Sequence, residues 1–321
     1  MDVEIDLYED WIAGNIAELQ VAIQAGWHFK SHLDWQTKII AGDVIENAGA
    51  RERLLIINLL RKYRQVEPRP RALKLCSGLV VPDALRQGWH DFCEEVRNGS
   101  DLNRRLSRKS LVLDSQDEML NHWGLQHFHL GVGPDPKYPA LIKGESEIAY
   151  AFVTNNAVYV IDIAEHGKWA DQALLERLDF DFPEALAPYK TDALDISWEA
   201  TEEDHKRLRK ANLNMMLKVN GKIFVEPGMG VMCDGTPSKI IFPMIQTKRR
   251  LKCADKAIRD NLGSILTSAM TERHANAVPE KLTFILLGFT PKKIYVSCEE
   301  LGFNIIVHPD GSWNIEKKQC R

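Results

Sequence analysis

The feature that most limits how this chain can fold is a change of hydrophobic period at Trp123–Gly124. Upstream, Ala50 to Arg64 opens with charge and then runs almost wholly apolar, as a helix buried on most of its circumference does. Pro68 and Pro70 stop it, and a second helix is expected from Pro82–Asp83 to Asn98–Gly99. Asp114, with Asp117 and Glu118 behind it, starts a short helix that Gly124 ends. Downstream the pattern is that of strands: Leu125–Leu130, Glu147–Val153 and Ala157–Ile163, the last two joined by a Thr154-Asn155-Asn156 turn. A chain that obeys two periods in succession is neither a pure bundle nor a pure sheet, and the α+β class is the expectation.

The spacing divides the chain into a helical region over 1–123, a small α/β module over 124–195 and a C-terminal hairpin-helix-sheet region over 196–321. The module's three strands should form one antiparallel sheet, with a helix over Ala170–Leu178 and a loop from Asp179 to Asp195. Thr201–Asn212 reads as a charged helix. Met215–Val219 and Lys222–Glu226 flank Asn220-Gly221, a strong hairpin signal. A long helix over 248–275 and strands at Leu282–Leu287, Lys293–Cys298, Phe303–Val307 and Ser312–Ile315 complete the pattern.

Composition excludes several classes. Apolar residues make up 45% and charged residues 27%, which supports packed cores rather than disorder. No run of about 18 apolar residues exists, so no membrane-spanning helix is expected. The acidic start, Met1-Asp-Val-Glu-Ile-Asp6, is the reverse of a signal peptide. Cys76, Cys93, Cys233, Cys253, Cys298 and Cys320 contain no CxxC pair, as expected of reduced thiols in a cytoplasmic protein without a zinc finger. The net charge of −4 conceals an alternation: 1–46 carry about −7, 47–110 about +7, 111–200 about −11 and 201–321 about +7.

Chemistry concentrates in one stretch. On a strand, His127 and His129 share a face, about 6–7 Å apart along the chain. With His122 and His166 they make four histidines within 45 residues. Two imidazoles on one face can act as an acid/base pair near neutral pH. Zinc or another divalent metal is the alternative cofactor, held by His127, His129, Asp162 and His166. No HExxH motif is present, and the Pro227-Gly-Met-Gly230 and Gly131-Val-Gly-Pro134 loops read as turns.

The run from Trp123-Gly-Leu-Gln-His-Phe-His-Leu-Gly131, through Glu147–Val153 and Ala157–Ile163, to Glu165-His-Gly-Lys-Trp169 resembles bacterial toxins of the RelE/HigB type. It also resembles uncharacterised proteins of bacterial mobile elements. The toxin resemblance implies a messenger-RNA endonuclease of toxin or phage-defence type. His166 would stand at the terminal catalytic histidine and Trp169 at the aromatic that follows it. His127 or His129 would replace a basic residue on an earlier strand. The sequence departs from that pattern in carrying Glu145, Glu147, Asp162 and Glu165 where the family holds RNA with arginine and lysine. RNA affinity would then come from flanking basic runs, since phosphate contacts dominate it.

Four such runs exist: Arg61-Lys-Tyr-Arg64 with Arg69 and Arg71, Arg104-Arg105 with Arg108-Lys109, Lys206-Arg207-Leu-Arg-Lys210, and Lys248-Arg249-Arg250 with Lys252. Positive charge in the first turn of a helix opposes the macrodipole, which makes 248–252 the run most in need of an acidic partner. The leading expectation is a ribonuclease with His127, His129 and His166 as acid and base, Lys168 stabilising the phosphorane, and Lys206, Arg207, Lys248, Arg249, Arg250 and Lys252 binding RNA. An antitoxin is a further expected partner. A metal-dependent hydrolase and a non-catalytic binding or inhibitory scaffold are the competing readings.

Overall fold

The structure, a computed structural model, describes residues 2–273 and 279–317. Along the chain run β1 (Asp2–Ile5), α1 (Leu7–Gln24), α2 (Leu33–Ala41), α3 (Ala48–Arg64), β2 (Ala72–Leu75), α4 (Arg86–Asn98), α5 (Glu118–Trp123), β3 (Leu125–His129), β4 (Glu147–Val153) and β5 (Ala157–Glu165). There follow α6 (Ala173–Asp181), α7 (Pro183–Leu186), α8 (Glu202–Lys210), β6 (Met216–Val219), β7 (Lys222–Val225), α9 (Ser238–Asp260), α10 (Leu262–Arg273), β8 (Lys281–Thr290), β9 (Lys293–Cys298), β10 (Phe303–Val307) and β11 (Trp313–Lys317). The fold is α+β. No helix of the described residues is long and apolar enough to cross a membrane.

The described residues form two compact units. The first draws on 1–24, 38–58 and 242–321; the second on 25–37 and 59–241. The expected helical region over 1–123 is therefore shared between the two. The physical reason is β1, which pairs in parallel with β8, Asp2 opposite Lys281 and Ile5 opposite Phe284. Two strands thus interrupt a region read as helical, β1 and β2. Each has four residues at a sheet edge, too short for its period to register.

In the first unit β1, β8, β9, β10 and β11 form one sheet in that order, and α1 packs on β8. Leu282, Phe284, Val296 and Ile305 of the sheet are buried, as are Leu7, Ile12 and Leu19 of α1 and Leu251 and Ile258 of α9. Helix α9 begins ten residues before the expected Lys248 and accommodates Pro243. Lys248–Lys252 consequently lies mid-helix, where the macrodipole conflict inferred from the sequence does not arise. The single helix expected over 248–275 is two, α9 ending at Asp260 and α10 running over Leu262–Arg273; its expected end at 274–275, like Cys320, lies outside the described residues.

In the second unit the sheet order is β2-β5-β4-β3, with β2 parallel to β5 and the other pairs antiparallel. The three module strands form one antiparallel sheet as expected. Both faces are covered. One packs Leu125, Ile148, Phe152 and Ile161 against Leu174, Leu175 and Leu178 of α6. The other packs Phe128, Leu130, Val158 and Val160 against Phe92 and Val96 of α4. The expected loop at 179–195 instead contains the end of α6, then α7 and a 3-10 turn at Ala187–Tyr189. Pro183 suits a first helical position, and Ala185 and Leu186 supply buried contacts.

Helix α4 lies so close to the end of β3 that a Cβ at Gly88 would stand 1.6 Å from the Leu130 carbonyl oxygen. Gly88→Ala should cost about 2–3 kcal/mol, toward the upper end of overpacking penalties. Gly14→Ala, in α1 with nothing within 4 Å of the added carbon, should gain about 0.5–1 kcal/mol. Urea unfolding of the two variants checks both signs.

Candidate functional site

Strand alternation builds the site. Leu125, His127 and His129 leave β3 on one face while Gln126 and Phe128 take the other. Register sets Tyr150 of β4 opposite both His127 and Asp162. Helix α5 delivers the chain to β3. Asp117 caps its start by accepting from the Leu120 N–H at 3.0 Å, and Gly124 ends it at φ +69°, a conformation glycine adopts without penalty. On the far side, β5 runs into a turn that carries His166. The Tyr150 hydroxyl donates to the Glu165 carbonyl at 2.9 Å, fixing that turn, and Gly167 follows at φ +120°.

The turn brings His166 onto the β3 histidines. Ring centroids are 6.1 Å apart for His127–His129, 6.1 Å for His127–His166 and 5.3 Å for His129–His166. Trp169 closes the group from one side, 5.1 Å from His127 and 6.0 Å from His166. All four rings line a cleft of about 640 Å³. Arg64, Arg108, Lys109, Asp117, Glu118 and Asp135 share its walls.

The environment shifts the protons. Burial pushes the His127 imidazole down to about 4, with His166 and Lys109 adding to the effect. His129 is likewise pushed down to about 4, by burial and then by His127, His166 and Arg108. Both rings are therefore neutral at pH 7. The Nδ1 of each is buried without a hydrogen-bond partner among the described residues. His166 is exposed. Burial raises the Asp117 carboxyl against the pull of the Leu120 N–H and Arg64. Arg64 donates to the carbonyls of Val112 and Ser115, each at 2.9 Å, while its Nε has no partner among the described residues. Arg108 pairs with Asp135 at 2.6 Å; Lys109 is exposed and makes no ion pair among the described residues.

The structure thus gathers His127, His129 and His166, and leaves the other expected residues elsewhere. Lys168 is not in the cleft wall: its ammonium lies 2.9 Å from Asp162, which also takes Arg177 at 2.9 Å. Those two cations outweigh burial and hold the Asp162 carboxyl below its usual range. Asp162 is therefore unsuited to the metal set of His127, His129, Asp162 and His166. Among the described residues no group of three or more His, Cys, Asp or Glu side chains could hold a metal ion.

The expected RNA-binding lysines and arginines are largely occupied. Lys206 pairs with Glu202 at 2.7 Å and Arg207 with Glu203 at 3.7 Å along α8. In the first unit, Lys248 pairs with Glu52 at 2.8 Å over the Tyr8 ring, and Arg250 donates to the Thr290 carbonyl. No bond or ion pair of Arg249 or Lys252 appears among the described residues.

The cleft's cations come from the two other basic runs, through Arg64, Arg108 and Lys109. Sequence reading noted those runs without assigning them to the histidines, and it missed Asp117, Asp135 and Tyr150 as site residues. Asp117 carried a readable signal, three positions before Leu120 at a helix start. Asp135 and Tyr150 carried none. Comparison with protein-family models, with curated proteins and with solved structures returned no match.

The buried imidazoles carry a stability prediction. Both bind protons less readily in the folded chain than at the ordinary histidine value of 6.5. The unfolded chain then holds more protons between pH 6.5 and 4, so stability is full above 6.5 and lost as pH falls through that window. The loss should reach roughly 2–3 kcal/mol per histidine by pH 4. Urea unfolding between pH 7 and 4.5 should show this slope, and His127→Gln should flatten part of it.

Proposed function

We propose that this cleft cleaves RNA without a metal ion, as a ribonuclease of toxin or phage-defence type. The observation that carries the reading is the convergence of three imidazoles within 6.1 Å of one another in a cleft with cations on its wall. Single-stranded RNA suits such a site, because an aromatic such as Trp169 offers a face to an unstacked base.

The chemistry follows from the proton inventory. A neutral His127 or His129 accepts the proton of a ribose 2′-hydroxyl, and the freed oxygen attacks the adjacent phosphorus. Lys109 and Arg64 oppose the charge that builds on the phosphorane oxygens. The bond from phosphorus to the 5′-oxygen breaks, and that oxygen takes a proton from His166, the exposed member of the three. The products are a 2′,3′-cyclic phosphate and a free 5′-hydroxyl, with no net change in protons. Lys168, bound to Asp162, has no part in these steps. In such a setting a protein partner of antitoxin type would act most simply by covering the mouth of the cleft.

The acid limb of kcat/KM should fall near pH 4–5 rather than near 6.5, because the base in the free protein is a depressed imidazole. His166→Ala, and at least one of His127→Ala and His129→Ala, should reduce cleavage of a single-stranded RNA by at least about a hundredfold while the chain stays folded by circular dichroism. Cleavage should survive chelator and stop when the scissile ribose is replaced by 2′-deoxyribose. Wild-type protein that leaves RNA intact, or three variants that cut at the wild-type rate, would remove the reading.

A further inference from the structure

The second unit has another cleft, of about 460 Å³, that none of the chemistry above uses. Its walls are aromatic: Tyr63, Phe152, Tyr159 and Tyr189 all contribute, and Phe152 meets Tyr189 nearly edge-on at 6.3 Å. Two cations line the cleft without an ion pair among the described residues: Arg71, whose guanidinium is taken up by the carbonyls of Thr154, Glu67 and Arg69, and Lys239. Lys239, half-buried near the start of α9, sits 5.5 Å from the centre of the Tyr189 ring. Among the described residues its ammonium has neither an ion pair nor a hydrogen bond.

Two carboxylates line the same cleft, yet both are engaged elsewhere. Glu67 pairs with Arg69 at 2.5 Å and Glu184 with Lys74 at 2.8 Å. Burial alone lowers the Lys239 pKa, with no partner to oppose it. A desolvated ammonium beside aromatic faces is repaid by an anion that carries a flat ring.

One residue joins this cleft to the histidines. Gln126 lines both, because β3 is the edge strand and its neighbour His127 leaves on the opposite face. Its amide nitrogen donates to the Arg64 carbonyl at 3.1 Å, and its amide oxygen accepts no hydrogen bond from a described residue. That oxygen can read the amino edge of a base.

We infer that the second cleft is a nucleotide subsite for single-stranded RNA. A base stacks on Tyr189, its phosphate lies on Lys239, and the strand passes Gln126 to reach the histidine cleft. The inference rests on the ribonuclease reading for the identity of the ligand, and its test separates the two.

The probe is a 5′-phosphorylated octanucleotide in which every ribose is 2′-deoxy, so that binding is read by anisotropy without cleavage. Lys239→Gln should weaken binding about tenfold and flatten the log–log salt dependence by about one ion, the mark of one lost phosphate contact. Lys239→Arg should restore both. Tyr189→Ala should weaken binding about tenfold at an unchanged salt slope, since it removes stacking and no charge. With ribose substrates, Lys239→Gln should raise KM for the octamer and leave dinucleotide cleavage unchanged.

Octamer binding and salt slope that do not respond to Lys239→Gln, in protein with wild-type thermal unfolding, would overturn the subsite even if RNA is cut. Weakened binding by the variants, together with a wild type that never cuts RNA, would support the subsite and remove the cleavage reading. A wild type that fails to bind the octamer would overturn the subsite, and one that also leaves RNA intact would remove both.

Discussion

Everything in the second unit that can do chemistry depends on the pairing of β3 with β4. That register sets His127 opposite Tyr150 and His129 opposite Ile148, so that both imidazoles leave the sheet on the side where the β5 turn returns. Slipping the pairing by one residue would exchange the faces. Phe128 and Leu130 would lose their places against α4, and the histidines would enter an apolar core. The cost of stranding Phe128, which is fully buried, is therefore what holds the histidines in position. Tyr150 extends the same logic across the sheet: its ring is buried in the row, and its hydroxyl holds the turn that carries His166. Core packing and site geometry here are one constraint.

Charge is organised locally, and segment totals mislead about it. The region over 111–200 is strongly acidic, which on composition alone should repel phosphate. Much of that acidity is internally consumed. Asp162 is held by Lys168 and Arg177, Asp179 by Lys222 at 2.9 Å and Asp135 by Arg108. The positive groups of the histidine cleft come from the region before it, through Arg64 and Lys109. The field a ligand would meet is set by which cations remain unpaired at the cleft wall, and net charge by segment does not report that.

The same distinction explains what could be read from the sequence. β4, β9 and β10 begin and end where their alternation says, since each has at least five residues bounded by turn signals. The convergence of His127, His129 and His166 was legible because two features were local, the HxH spacing and the short Thr154–Asn156 turn. What escaped was non-local. β1 and β2 have four residues each, and their strand character is conferred by partners more than 80 positions away. Lys168 lies beside His166 in sequence but is turned to Asp162, whereas Arg64 reaches the cleft from the end of α3. Adjacency in sequence was a poor guide to which cation serves the site.

The depressed imidazoles tie ligand entry to proton uptake. Burial keeps His127 and His129 neutral, with His166 adding to the effect at both rings and His127 adding to it at His129. An anion placed among them reverses the sign of the local potential, which favours the imidazolium form. A phosphodiester bound there would raise the proton affinity of the very groups that must accept its 2′-hydroxyl proton. The base would then be weak while the cleft is empty and stronger once the reacting phosphate is in place. Such coupling asks for no conformational change. It needs a strand that presents two imidazoles side by side, a turn that adds a third, and burial that keeps the strand's two rings neutral, and the packing around β3 supplies all three.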